Sequence, residues 1–228
     1  MLEIIAQSFT DCLRADIAGV DRIELVSALS EGGLTPSLGM TSLIHEQVIT
    51  PVYAMIRPHS RSFHYELSDL EVMKRDAQAL APYCDGFVLG ILDAEGLPDV
   101  ATMESVLAET SQPVTFHRAF DEVSDVALAL RRLNDWPRCE RILTSGGPGK
   151  VFDHLREVKA LLNLKGRLTV QLGSGINLEN LAALMEQFPQ CDFHLGTALR
   201  GGSPIAEIVP ELLHEAERIY QQHQKKEN

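Results

Sequence analysis

The sequence predicts a single α/β domain over residues 1–228, a closed (β/α)8 barrel of the TIM type. Three observations carry that expectation. Eight short β-rich runs recur, each followed by a helical pattern. No low-complexity linker separates them. One run, ending at Phe116, passes straight into His117, Arg118, Asp121 and Glu122, as a strand does where an α/β protein builds its site on one rim. Eight units in 228 residues leave little room for a second domain, which favours the closed barrel over a doubly wound open sheet.

In order, strands are read at residues 2–6, 22–26, 52–56, 86–92, 113–117, 141–145, 167–173 and 192–197. Helix-start signals lie between them. Thr35-Pro36 puts proline at a first helical position, and Ser68 with Glu71 reads as a capping box. Ser124 precedes a helix at 126–133 and Asn177 one at 178–188. The last helix is expected at 206–222, with residues 221–228 frayed.

Alternate side chains of a strand point to opposite faces. The more apolar parity, such as Leu2/Ile4/Ala6 and Phe87/Leu89/Ile91, is expected against the helices. That leaves Glu3, Ile5, Gln7, Glu24, Met55, Arg57, Gly90, Thr115, His117, Ser145, Gln171 and His194 toward the axis. A purely structural barrel fills its axis mainly with Val, Ile and Leu. This one is polar near its strand ends, and buried charges need partners, so Glu24, Arg57 and His117 are expected in one network.

These residue types also carry chemistry. Histidine titrates near neutrality, a carboxylate can orient it, and arginine binds carboxylate or phosphate in a fork. Glu24, His117 and Asp121 are therefore acid/base candidates, with Arg57 and Arg118 as an anion clamp. The competing reading is a salt-bridge network that closes the barrel top. Glycine-rich turns follow the late strands: Ser145-Gly146, Gly173-Ser174-Gly175 and Gly196-Thr197. Their backbone amides would hold a phosphate, unless the glycines simply turn tight corners. Gly149-Lys150 is not a P-loop, because Thr144 and Val151 stand where glycine and Ser/Thr are needed. No lysine falls on an inward strand position, which opposes Schiff-base chemistry, and no G-x-S-x-G elbow occurs.

For a metal, His117, His194 and Glu24 could converge as nitrogen and oxygen ligands, with Met55 as the one inward sulfur and His64 as a loop candidate. Two hydrogen-bonded barrel histidines is the alternative. Cys12, Cys84, Cys139 and Cys191 form no C-x-x-C pair and read as reduced packing thiols. A net charge of −12 opposes nucleic-acid binding. No apolar run approaches the about 20 residues that span a bilayer. A cytoplasmic homo-oligomer is expected.

Several segments together resemble the copper homeostasis protein CutC family. They are Asp21-Arg22-Ile23-Glu24-Leu25, Glu31-Gly32-Gly33-Leu34-Thr35-Pro36-Ser37, Ile56-Arg57-Pro58, Asp85-Gly86-Phe87-Val88-Leu89-Gly90, Thr115 to Asp121, Leu143-Thr144-Ser145-Gly146 and Gly173-Ser174-Gly175. The resemblance implies a cytoplasmic TIM-type barrel, a role in copper homeostasis, and in some members Cu(I) held by cysteine. Where members often carry those cysteines, this chain has Ile5-Ala6, Val26 and His64. Copper is thus a ligand by resemblance, while the matching Glu24, Arg57, His117, Arg118 and Asp121 suit a small phosphorylated or carboxylated molecule.

Overall fold

Eight parallel strands pair in chain order, and the last pairs back onto the first to close the ring. The computed structural model describes residues 1–227. The strands are β1 (Leu2–Ala6), β2 (Arg22–Leu25), β3 (Val52–Met55), β4 (Gly86–Leu89), β5 (Val114–Phe116), β6 (Cys139–Thr144), β7 (Thr169–Leu172) and β8 (Asp192–Leu195). Around them run α1 (Phe9–Ala18), α2 (Leu38–Gln47), α3 (Leu67–Leu80), α4 (Val100–Val106), α5 (Val126–Asn134), α6 (Leu155–Leu164), α7 (Leu181–Gln187) and α8 (Pro210–Glu227).

All eight expected strands form; β1 keeps its bounds, β6 starts two residues earlier at Cys139, and the others are shorter. β4 stops at Leu89, and Leu92 instead makes an antiparallel bridge to Pro98. β8 stops at Leu195 because Thr197 opens a 3-10 turn. The caps differ more. Glu66, not Ser68, caps α3, and Asp69 accepts its amide at 3.2 Å. Ser37 caps α2 by accepting from the Met40 amide, so Pro36 stays outside the helix. Asp125 caps α5, while Ser124 donates to the Glu95 carbonyl. Asn177 accepts the Glu179 and Asn180 amides in a turn before α7 rather than starting it. At α2 and α5 the side chain of the residue at the N-cap accepts an orphan amide of the first turn, whereas Asn180 at the start of α7 accepts the Asn177 amide instead. The tail expected to fray continues as α8 to Glu227, with Asn228 outside the described residues.

The parity argument holds. The outward residues bury against the helices in one continuous core, each large side chain contributing about 2 kcal/mol. Inside the ring a small separate cluster, Val26, Tyr53, Met55 and Val88, packs with Ile5 and Leu29. Gly86 is required there: a Cβ on it would lie 2.2 Å from the Tyr53 ring.

Below that cluster the axis is polar. Arg22 pairs with Glu3, lies 4.1 Å over the Tyr53 ring, and donates to Thr115 Oγ1 at 3.2 Å and Gln171 Oε1 at 3.1 Å. The second Glu3 oxygen accepts from the Gln171 amide and from His194 Nδ1, the latter at 2.6 Å. This is a fully buried floor for whatever sits above it. Arg22 and Arg141 were not singled out as inward residues, although each shares its parity with Glu24 or Ser145 on the same strand.

Candidate active site

Above the floor, at the C-terminal strand ends, opens a cavity of about 990 Å³. Its lining includes Glu24, Met55, Arg57, His117, Arg118, Asp121 and His194, candidates from the sequence that the fold brings to one cavity.

His117 closes β5 and caps the 3-10 turn Arg118–Glu122. Its Nδ1 accepts the Ala119 amide at 3.1 Å. An accepting Nδ1 carries no proton, so the ring hydrogen sits on Nε2. That atom is buried and has no partner among the described residues. Gly90 lets the ring lie against β4, since a Cβ there would be 2.6 Å from Nδ1. Phe63 packs on the ring at 4.9 Å between centroids and carries the Arg57 guanidinium at 4.9 Å from its own. Burial, with the Arg57 and Arg118 cations behind it, pushes the imidazole down to about 3. His117 is therefore a neutral donor at physiological pH.

Glu24 lies on β2. Its carboxyl is 3% exposed and its Oε2 has no partner among the described residues. Burial and then the Glu3 charge raise it to about 7, against the pull of His194 and Arg22. His194 is shifted up: burial opposes its charge, but Glu24 and Glu3 outweigh it. Glu3 stays far below the usual carboxylate range in spite of burial, because Arg22 and His194 hold it.

The expected Glu24–Arg57–His117 network does not form. Arg57 Nη1 donates instead to the carbonyls of Glu31, Gly32 and Gly33 at 3.2–3.3 Å, which ties down the loop after β2. Pleat parity gives the face of a residue, not its reach, and this guanidinium reaches sideways. Asp121 is also redirected. It accepts from Thr144 Oγ1 (2.5 Å), Ser145 N (3.0 Å), Ser145 Oγ (2.9 Å) and Arg118 Nε (2.8 Å), so it is a hub joining the 3-10 turn to β6 rather than a proton carrier. Arg118 is further held by Ser145 Oγ and the Gly149 carbonyl.

Of the glycine turns, Ser174, Gly175, Gly196 and Thr197 line the cavity, while Ser145, Gly146 and Gly173 stand behind it. A Cβ on Gly196 would sit 2.7 Å from Ile5, so this backbone approaches β1 as no other residue could. Among the described residues, the amides of Ser174, Gly175, Gly196 and Thr197 donate to no other group. Lys150, set aside in the sequence with the P-loop reading, packs its stem on Gly175 and lines the cavity without an ion pair among the described residues.

A copper site was tested against these donors. All four cysteines are buried, none lines the cavity, and burial pushes each thiol up to about 12. Cu(I) needs soft donors, and Met55 is the single sulfur on the wall. The donors do not fit that ion. Glu3, Glu24 and His194 bring ligand atoms within 4.8 Å of one another, with Glu3 in the place expected for His117. Both Glu3 oxygens are already bound by Arg22, Gln171 and His194, and the guanidinium beside them opposes a cation. Within the trio Glu3 and His194 are hydrogen-bonded to each other, while Glu24 Oε2 has no partner among the described residues.

Known proteins align with nearly all of this. A protein of Homo sapiens, "Copper homeostasis protein cutC homolog", is 40% identical over 197 residues, 85% of this chain and 72% of its own. A family protein CutC of Xanthomonas axonopodis pv. citri is 37% identical over 196 residues, 85% and 81% of the two chains. A crystal structure of the CutC copper homeostasis protein from Streptococcus agalactiae superposes with TM-score 0.78 at 31% identity, covering 86% of this chain and 98% of that one. Phosphoribosyl anthranilate isomerase from Thermotoga maritima, at TM-score 0.64 and 14% identity over 97% and 98%, shares the fold alone. The CutC family model matches residues 1–198, and with those relatives it shows that the chain belongs to the CutC family.

Proposed function

We propose that the chain serves copper homeostasis, the role its curated relatives are named for, through a pocket that binds a small phosphorylated or carboxylated molecule and acts on it by acid/base chemistry. One observation carries this reading. Glu24 and His117 each leave a buried polar atom unpartnered on the wall of one cavity, where an empty hydrogen-bond position costs about 1–3 kcal/mol and is kept for a ligand. Lys150, Arg118 and the amides of Ser174, Gly175, Gly196 and Thr197 supply the anion-binding end. The reading extends to a cytoplasmic homo-oligomer, for which the exposed Ile17 and Ile49 offer apolar surface.

The test is a screen of phosphorylated and carboxylated metabolites by calorimetry. At least one is expected to bind, and His117→Ala to lose it by about tenfold or more while keeping the barrel's circular dichroism. Unfolding of that variant would instead favour a purely structural network. Copper is tested separately, by anaerobic Cu(I) titration against a competing chelator. Weak binding, unchanged when all four cysteines are replaced, is expected. Tight stoichiometric binding lost with the cysteines would reinstate thiolate copper handling.

A further inference from the structure

Three residues of the cavity wall leave a buried polar atom without a partner among the described residues: Arg57 at Nε, which lies on the guanidinium that holds the loop after β2, and Glu24 and His117, whose open positions differ in kind. Glu24 Oε2 is an acceptor or a carboxylic hydroxyl, and His117 Nε2 is a donor whose proton is fixed in place by the Ala119 amide on the other ring nitrogen. Of the other acids on this wall, Glu31, Glu122 and Glu179 are exposed, and Asp121 has its oxygens filled by Thr144, Ser145 and Arg118. No cysteine lines the cavity, so a thiolate nucleophile is lacking. Ile5, Leu29, Phe63, Leu143 and Ile176 add apolar surface to the wall, which strengthens a charge interaction beside it.

We propose that this site moves a proton at a carbon next to a carbonyl, in a small phosphorylated hydroxy- or amino-carbonyl compound, with Glu24 as the base and His117 as the donor to the carbonyl oxygen. The proposal rests on the reading that the cavity holds an anionic metabolite. Chemically, the α-carbon's C–H bond breaks and its proton passes to the Glu24 carboxylate. The C–H electron pair becomes the C=C bond, and the carbonyl π pair moves onto oxygen. The resulting enolate oxygen is held by His117 Nε2–H. The enolate oxygen takes the Nε2 proton of His117, the ring recovers a proton from the hydroxyl or amino group on the α-carbon, and return of the carbon proton from Glu24 to the former carbonyl carbon gives the isomer, so atoms and electrons balance with no oxidant or second reactant. A neutral imidazole suits the task, since a donor placed where charge develops acts more strongly on the enolate than on the ground-state ketone. The phosphate end would lie on the amides of Ser174, Gly175, Gly196 and Thr197 beside Lys150.

The test compares two probes that share a phosphate arm, 2-phosphoglycolate and phosphoglycolohydroxamate, the second being a mimic of an enediolate. For the unmodified protein the hydroxamate is expected to bind at least about tenfold tighter. That ratio is expected to fall to about one in both Glu24→Gln and His117→Gln, with circular dichroism confirming that each variant folds. Nitrogen-15 NMR of His117 is expected to show the proton on Nε2 and no titration between pH 5 and 9. Equal affinity for the two probes, an imidazolium at neutral pH, or a borohydride-trapped adduct on Lys150 overturns the proton-transfer proposal. If neither probe nor inorganic phosphate binds at all, the anion-pocket reading beneath it fails as well.

Discussion

At the scale of single residues, Glu24 carries the clearest consequence. In an unfolded chain it ionises near its ordinary 4.5, and in the fold at about 7. Between those values the folded chain holds one proton more, so stability falls as pH rises through the window. Below pH 4.5 the group is neutral in both states. Above 7 the fold bears the full cost of a buried charge, on the order of 3 kcal/mol. Glu24→Gln is therefore expected to match the unmodified protein in urea melts at pH 4.5 and to be more stable at pH 8. An equal or lower stability at pH 8 would place the Glu24 charge in a favourable pairing. Which residues face the axis was legible from alternation alone, as Glu24, Met55, His117 and His194 show. Their partners were not. Alternation says nothing of height or reach, so Arg57 left its expected network for three loop carbonyls and Asp121 was absorbed by β6.

At the scale of elements, that arginine decides how the pocket wall is held. One Nη atom gathers the carbonyls of Glu31, Gly32 and Gly33, while the Arg57 amide donates to Thr35 Oγ1 at 2.9 Å. The loop after β2 is thus fastened to β3 from both backbone and side chain. Arg57→Ala leaves those carbonyls short of a donor and removes the cation from the Phe63 face. A loss of about 2–4 kcal/mol is expected, with faster amide hydrogen exchange concentrated in residues 28–35. Exchange unchanged there would return Arg57 to the free anion clamp first expected of it. The helix starts teach a related lesson. Residue types fit for capping were visible at Ser68, Ser124 and Asn177, but Glu66, Asp125 and Asn180 hold the N-cap positions.

At the scale of the whole molecule, the barrel rests on a charged axis rather than a greasy one. Removing one partner of a buried ion pair costs about 3–5 kcal/mol, because the other is left uncompensated. Arg22→Ala strands Glu3, whose carboxylate is wholly buried, and removes the cation over Tyr53 as well. The expected result is a fall in the urea midpoint equivalent to that range, and a change below about 1 kcal/mol would mean the floor is not structural. Eight strands, their order and their closed ring followed from the repeating pattern, which is why the architecture was so fully legible. The floor was less so, because the charged residues at 22 and 141 open or nearly open their strands and read as edge positions.

That floor has an authorship divided around the ring. Glu3, Arg22 and Tyr53 come from β1 to β3, whereas Thr115, Gln171 and His194 come from β5, β7 and β8. Split after β4, the chain would separate the Glu3–Arg22 pair from the groups that complete its hydrogen bonds. Two copies of the first half, joined to each other, would bring acid toward acid and guanidinium toward guanidinium. Two copies of the second would meet with no charge to serve. The halves are complementary to each other and not to themselves, so the polarity of the axis tells one correct closure from the mispairings that repeated βα units otherwise invite.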